Sequence, residues 1–490
     1  MSMKRDCFSI FKLPLFSNER GKLYRLLVAF FDAIFVLGFG IIFGVGTLFA
    51  TPPNIVVVLV DDMGWSDLSC FGNQTVQTPH IDQLAREGIS FTQFYVCAPI
   101  CSPSRCGITT GQYPQRWNIT SYLDNRKRNE ERSVNQWLDL QAPTLARTLH
   151  DAGYATGHFG KWHLGGQRDV GEAPLITEYG FDESLTNFEG LGPRILPLLN
   201  SFDGSPAQEY ALGSDKLGRG DIRWKDRNRI TTGFVEQALA FIRQAEKSDK
   251  PFYINLWPDD VHSPFFPAKE LRGNGEKKSL YHGVLVEMDL QLAPLFDYIR
   301  ASETLRNNTL IVFLSDNGPE PGAGSAEPLR GHKGNLYEGG VRSPLIIWGN
   351  GLLAPEKIGT KNQTAVLHSL DLTPSLLKMA GIEPNPAIVY DGDDFSHVLL
   401  GNKSEQNRNA PIFWRRPPDR PGPKNEPFPD LALRSENWKF LMQFNGSRPQ
   451  LYDLINDPSE SDNLAEQNPE IVERFRKMLR DWNSNVNRSR

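Results

Sequence analysis

Cysteine is scarce in this chain. Five cysteines in 490 residues cannot staple a protein of this length as a disulfide scaffold. A basic excess is missing as well: 53 Lys and Arg against 58 Asp and Glu give a net charge of −5. That excludes the broad positive field expected of a nucleic-acid partner. Beyond Ala50 no apolar run approaches the length needed to span a bilayer, so the rest of the chain is expected to be soluble. No internal repeat is present, and the 42 Gly and 35 Pro follow no period, which excludes collagen and points to many loops. Apolar residues are not lacking: 39% hydrophobic and 23% charged is ordinary globular usage, which rules out wholesale disorder.

The first fifty residues stand apart. Six cations (Lys4, Arg5, Lys12, Arg20, Lys22, Arg25) precede Leu26–Ala50, a run apolar except for Asp32 and Thr47. Such a run can cross a hydrocarbon core of about 30 Å, and its positive flank predicts a cytoplasmic N-terminus. Residues 1–50 are therefore expected to act as a signal peptide or as an uncleaved membrane anchor, and the remainder to be exported. Membrane contact is expected only through residues 26–50, if they are retained. Without the first fifty residues the net charge becomes −8.

The exported part reads as α/β. Asn54–Val60, Tyr154–Phe159, Phe252–Trp257 and Leu310–Leu314 are compact apolar runs that suit strands buried on both faces. Helical patterns lie between them, at Thr144–Ala152, Gly233–Ala245 and Gly283–Ile299. The expected fold is a large, mostly parallel or mixed sheet sandwiched by helices over residues 51–385. A smaller α+β unit follows over 386–490. In that unit Pro411–Pro429 reads as a surface loop, and Leu431–Arg434, Trp438–Phe444 and Gln450–Leu454 as short strands. Asn468-Pro469 reads as a capped helix start, with Ile471, Phe475, Met478 and Trp482 forming its apolar stripe.

Each main strand ends in polar residues, where open α/β sheets place their sites. The first runs into Asp61-Asp62 and the second into Lys161-Trp162-His163. The third runs into Asp259, Asp260 and His262, and the fourth into Asp316-Asn317. Three carboxylates of Asp61, Asp62 and Asp316 in one pocket would repel unless a cation neutralised them. With Asn317 they form an all-oxygen set, which suits calcium or magnesium over zinc. Cys101 opens the run CSPSRCGITTG. There Ser102-Pro103 reads as a helix cap followed by a first-position proline, and Arg105 lies one turn further. Three other readings of these cysteines stand open: a zinc cluster of Cys97, Cys101 and Cys106, a disulfide between two of Cys70, Cys97 and Cys106, and an ordinary thiol nucleophile at Cys101.

The run CSPSRCGITTG resembles the first signature of the type I sulfatases, within the alkaline phosphatase superfamily. Gly153–His163 (GYATGHFGKWH) resembles the second. The likeness extends to Asp61-Asp62, to Ser315-Asp316-Asn317-Gly318, to Lys333 in RGHKGNLYEGG and to the ending LYDLINDPSESDNLA, in the manner of arylsulfatase A-like and N-acetylgalactosamine-6-sulfatase-like enzymes. It implies an alkaline-phosphatase-like fold and hydrolysis of sulfate esters to alcohol and inorganic sulfate. It implies that a maturation enzyme converts Cys101 to Cα-formylglycine, whose hydrate is the nucleophile. Asp61, Asp62, Asp316 and Asn317, with the modified Cys101, would hold one calcium ion. Arg105 would hold the hydrate, Lys161 and Lys333 would contact the sulfate, His163 would act as base and His262 would serve the leaving group. The expected substrate is a sulfated small molecule or carbohydrate. A phosphonate monoester or phosphodiester hydrolase and an inactive sulfate-binding module are the rival readings. Arg168, Asp169, Arg330 and His332 are further candidates for the pocket, and His80 for its rim. Asn73, Asn118, Asn307, Asn362, Asn402, Asn445 and Asn487 begin glycosylation triplets.

Overall fold

The computed structural model describes residues 51–486. The apolar run Leu26–Ala50 and the triplet at Asn487 lie outside the described residues. Among the described residues no helix is long and apolar enough to cross a membrane.

A mixed nine-stranded sheet forms the centre. Its strands are β1 (Asn54–Val60), β2 (Ile89–Tyr95), β3 (Ala155–Gly160), β4 (Glu183–Leu185), β5 (Phe252–Trp257), β6 (Thr309–Ser315), β7 (Arg342–Trp348), β8 (Thr360–Asn362) and β9 (Leu367–His368). They lie in the order β8-β2-β7-β6-β1-β5-β3-β4, with β9 also on β2. Only β7 runs antiparallel to its neighbours, β2 and β6. The sequence reason is plainest in β1. Ile55, Val57 and Leu59 enter one core, and Val56, Val58 and Val60 enter the other. A strand covered on both faces needs apolar residues at every position, not at alternate ones. Helices Cys101–Thr110, Leu145–Asp151 and Leu372–Met379 contribute to the first core. Helices Pro79–Glu87, Ile230–Lys247 and Lys277–Ala301 contribute to the second.

A four-stranded antiparallel sheet follows: Ile412–Arg415, Leu431–Ser435, Trp438–Met442 and Gln450–Asp453. The first of these strands corrects the expectation of a loop over Pro411–Pro429. Trp414 is fully buried, and its indole N–H donates to Val96 O at 2.7 Å. The closing helix, Pro469–Asn485, starts at the expected proline with Asn468 in the N-cap position, but the Asn468 side chain makes no capping bond: its amide donates to Leu464 O. Its buried face is Val472, Phe475 and Leu479. Of the expected stripe only Phe475 is fully buried; Ile471, Met478 and Trp482 pack at the rim. A small third sheet, Arg194–Leu199 with Gln208–Glu209 and Ile222–Asp226, had no clear sequence signal. From Pro52 onward the chain packs as one compact unit.

A buried ionic cluster ties the two larger sheets together. Glu338 pairs with Lys439 at 2.8 Å and Arg342 at 3.3 Å, and Tyr95 Oη donates to it at 2.6 Å. Glu460 accepts from Glu338 N at 2.7 Å. Burial raises the Glu460 carboxyl to about 8; Lys439 opposes the shift and the Glu338 charge adds to it. Folding therefore favours the protonated form of Glu460. The associated stability is complete below the ordinary value of 4.5 and is lost as pH rises through 8. Glu460→Gln keeps the shape and removes the titration. Relative to wild type, this variant is expected to gain stability from pH 5 upward and to level off above pH 8 in denaturant titrations. A difference independent of pH would refute the assignment.

Candidate active site

The carboxyl ends of β1, β3, β5 and β6 converge, as the strand-end residues suggested. Asp61 and Asp62 leave β1, and Asp316 and Asn317 leave β6, its parallel neighbour. Asp62 N donates to Asp316 Oδ1 at 3.1 Å, and Asn317 Nδ2 to Asp62 Oδ1 at 2.8 Å. Gly160 turns the chain out of β3 with φ of +124°, and any Cβ there would meet Trp257 O at 2.1 Å. The next residue, Lys161, lays its ammonium 2.7 Å from Asp61 Oδ2.

Cys101 is the first residue of its helix, two positions earlier than the expected proline start. Ser102 is not the cap: its hydroxyl accepts from Leu123 N. The Cys101 thiol points at Asp61 Oδ1 (3.2 Å) and Asp62 Oδ1 (3.8 Å). One turn on, Arg105 is fully buried. Its guanidinium pairs with Asp316 at 2.8 Å and Asp61 at 3.2 Å and donates to Lys161 O at 2.8 Å. A buried arginine with one partner removed would strand a charge, so this double pairing fixes its place. Lys333 arrives from the loop before β7 and places Nζ 2.5 Å from Asp62 Oδ2.

The two histidines sit differently. His262 Nε2 is 3.6 Å from Asp62, while Nδ1 meets Ser263 O at 2.7 Å. A ring nitrogen of His262 lies within 4.8 Å of both the Asp61 carboxylate and Cys101 Sγ. His163 Nε2 meets Leu123 O at 2.8 Å and Glu189 at 3.4 Å, and its buried Nδ1 has no partner. Asp62 and His163 both adopt positive φ, 62° and 56°. Such backbone strain in non-glycine residues is concentrated at working sites.

The electrostatics divide the carboxylates. Burial alone would raise Asp61, but Lys161, His262, Arg105 and Lys333 hold it well below the usual range. Asp62 is likewise lowered against its burial, chiefly by Lys333. Asp316 goes the other way, to about 7, through burial and repulsion from Asp61. Burial and the Asp61 charge push the Cys101 thiol well up. That disfavours a standing thiolate, and with it the ordinary thiol-nucleophile reading.

Ligand atoms of Asp61, Asp62, Cys101 and Asp316 lie within 4.8 Å of one another, all buried. Beside them Asn317 Oδ1 is buried without a hydrogen bond. The arrangement fits a hard dication. Three carboxylates and an unused amide oxygen supply the donors, and two lysines now neutralise the carboxylates. The one mismatch is the soft sulfur of Cys101. The zinc reading does not survive, because Cys97 points elsewhere, toward Pro103 O and Ser104 O. Cys70, Cys97, Cys101 and Cys106 are all free, so no disulfide joins the candidates.

Some expected residues stay out of the cluster. Asp259 pairs with Arg227 at 3.0 Å and accepts from Asn187, and Asp260 accepts from Thr231 and Gln291. Both brace the loop that carries His262. Arg168 pairs with Glu189 at 3.1 Å, and Asp169 accepts from Arg126 N. His80 lies on the first turn of helix Pro79–Glu87, its backbone N–H bonded to Asp289. Glu189, buried between His163 and Arg168, was not anticipated; it lies in an irregular loop and belongs to no recognisable motif.

The sequence profile of the sulfatase family matches residues 53–382. The chain belongs to the sulfatase family. A second profile, the C-terminal region of N-sulphoglucosamine sulphohydrolase, matches residues 332–485 of this sulfatase. Human arylsulfatase A is 30% identical, over 88% of this chain and 88% of its own. N-acetylgalactosamine-6-O-sulfatase of Bacteroides thetaiotaomicron is 29% identical, over 87% and 92%. Among solved structures, Ps i-CgsB in complex with k-i-k-neocarrahexaose superposes with a TM-score of 0.71 at 25% identity, covering 89% of this chain and 94% of that one. The sulfatase is thus a sulfuric ester hydrolase, and its mixed α/β sheet with a smaller C-terminal sheet is the architecture shared with those structures.

Proposed function

We propose that the protein is an exported, calcium-dependent hydrolase of sulfated carbohydrate, with formylglycine at position 101. The carrying observation is the single sulfur in an otherwise hard donor set. Oxidation of Cys101 to an oxygen function would make that set uniform and suited to calcium. The names of relatives that act on N-acetylgalactosamine 6-sulfate esters support carbohydrate as the substrate class. The basic and apolar N-terminal segment supports export, with Leu26–Ala50 as signal or anchor.

A formylglycine at position 101, with calcium bound, would supply an oxygen nucleophile at neutral pH and an internal route for sulfate release. Asp61, Asp62, Asp316 and Asn317 would hold the ion. Arg105, fixed by two carboxylates and Lys161 O, steadies position 101 from one turn away. Lys161 and Lys333 bring positive charge to the non-bridging sulfate oxygens, where charge builds in the transition state. His262 donates Nδ1–H to the Ser263 carbonyl, so its neutral form offers only a lone pair at Nε2. Proton delivery to the departing oxygen therefore needs the imidazolium. Burial, Lys161 and Lys333 oppose that charge and hold His262 below its ordinary value, while the Asp61 and Asp62 carboxylates and an incoming sulfate favour it. His163 donates through Nε2 to Leu123 O, which leaves Nδ1 free to accept a proton.

Paired kinetics with an aryl sulfate and the matching aryl phosphodiester test the reading. The account expects kcat/KM for the sulfate to exceed that for the diester by about 100-fold or more, the discrimination available to a site built around its substrate's polar groups. Faster diester cleavage would overturn it in favour of a phosphodiesterase. Saturable binding without product would indicate a sulfate-binding module.

A further inference from the structure

Two clefts open from the Lys333 loop. One, of about 420 Å³, is lined by His332, Lys333, Arg420 and Phe428 among others. The other, of about 590 Å³, is lined by Arg330, Tyr337, Arg448 and Tyr452. They share His332, Asn335 and Phe428, so they adjoin along this loop, and we treat them as two segments of one groove. Its inner end lies beside the reacting cluster: Lys333, which lines it, rests on Asp62, and Arg420 lies over Tyr122, whose ring is 6.4 Å from that of His163. Its outer end lies on the four-stranded sheet, at Tyr452 and Arg448. Each segment falls in the range of about 300–1,000 Å³ that holds a drug-sized ligand, far more room than the ring bearing one sulfate needs.

The lining has a definite chemistry. Arg330 lies 4.0 Å over the Tyr337 ring and donates to Tyr452 Oη and Glu460 O, neutral acceptors in each case. Arg420 lies over the Tyr122 ring. Arg448 is exposed at the outer rim. Three acids also border the groove, but two are engaged elsewhere. Glu320 pairs with Lys277, and Asp419 accepts from Ser121 and pairs with Arg132. Glu426 remains as the acidic wall residue. Guanidinium forks match sulfate oxygens, and aromatic faces suit the apolar sides of sugar rings.

We infer that this groove binds further units of a multiply sulfated oligosaccharide, extending from the unit whose ester is cleaved at Cys101 toward Arg448. The inference rests on the sulfatase reading and adds the substrate's length and charge. The polymer would carry its additional sulfates past Arg420, Arg330 and Arg448 in turn. A groove open at its outer end accommodates chains longer than it can cover.

The test compares kcat/KM for a sulfated monosaccharide with that for a tetrasaccharide carrying the same reactive unit and a sulfate on each further unit. Wild type is expected to favour the tetrasaccharide by about tenfold or more, the worth of one charge-assisted contact. The preference should shrink with added salt. Arg448→Glu should bring the ratio close to one, and Arg448→Lys should retain most of it. Equal use of both substrates by wild type, or an unchanged ratio in Arg448→Glu, overturns the groove while leaving the sulfatase reading intact. Should wild type release sulfate from neither saccharide nor an aryl sulfate, the sulfatase reading fails. Calorimetric titration of the tetrasaccharide into Cys101→Ala then still decides the groove. Saturable binding that Arg448→Glu weakens about tenfold supports it, and no binding refutes it.

Discussion

Cys101→Ser is expected to lose sulfate release by about 10⁴-fold or more, the scale seen when an enzyme's nucleophile is removed. The substitution is nearly isosteric, and the serine hydroxyl can donate to Asp61 and Asp62 as the thiol does. Local structure should persist, because helix Cys101–Thr110 is held by its buried neighbours and not by sulfur. What serine lacks is the second hydroxyl of the proposed formylglycine hydrate. It can be sulfated at most once and has no internal means of expelling the product. Serine also keeps a hard oxygen at the ion site. Calcium should therefore still raise the melting temperature of Cys101→Ser, although turnover has gone. Loss of both properties together would mean that the residue acts structurally. Retained turnover would mean that position 101 is not the nucleophile.

Removal of divalent cations is expected to have the second largest effect. Asp61, Asp62 and Asp316 crowd buried oxygens within 4.8 Å of one another, offset by Arg105, Lys161 and Lys333 and, when it is protonated, His262. A dication held there would relieve that repulsion and free the two lysines to meet the substrate's sulfate. Chelation should lower kcat/KM by about 10³-fold, consistent with several kcal/mol of charge stabilisation by a metal. Calcium should restore activity and zinc should not, because the donors are oxygens. Independently of turnover, calcium at about 100 times its Kd should stabilise the folded protein by about 2.7 kcal/mol. Asp61→Asn and Asp316→Asn should each reduce that gain. Full activity in chelator, with no calcium-dependent melting shift, would contradict the ion site.

Legibility in the sequence followed burial. β1, β5 and β6 are covered on both faces, so their apolar runs mark them almost to the residue. β2 was not recognised because its central Thr92 and Gln93 are only half buried and interrupt the run. β7 was hidden by Pro344, which reads as a breaker but sits where the register with β2 shifts. The carboxylates of β1 and β6 were legible because adjacent parallel strands deliver their next residues side by side. Asp259 and Asp260 stand at an equivalent strand end and still turn away, because Arg227, Thr231 and Gln291 capture them. A strand-end position brings a residue to the edge, and its partners then decide where it points. Glu189 had no signal at all, because its role depends on a loop folding back onto His163. The groove toward Arg448 was equally hidden, as its walls come from three separate segments, 320–337, 419–428 and 448–463.

Mass spectrometry of the peptide containing Cys101, from protein expressed with a maturation enzyme, tests the central claim most directly. The account predicts a peptide lighter than the thiol form by the difference between a thiol-bearing carbon and an aldehyde, and reactive toward a hydrazide probe. An intact thiol at position 101 in fully active protein would contradict it.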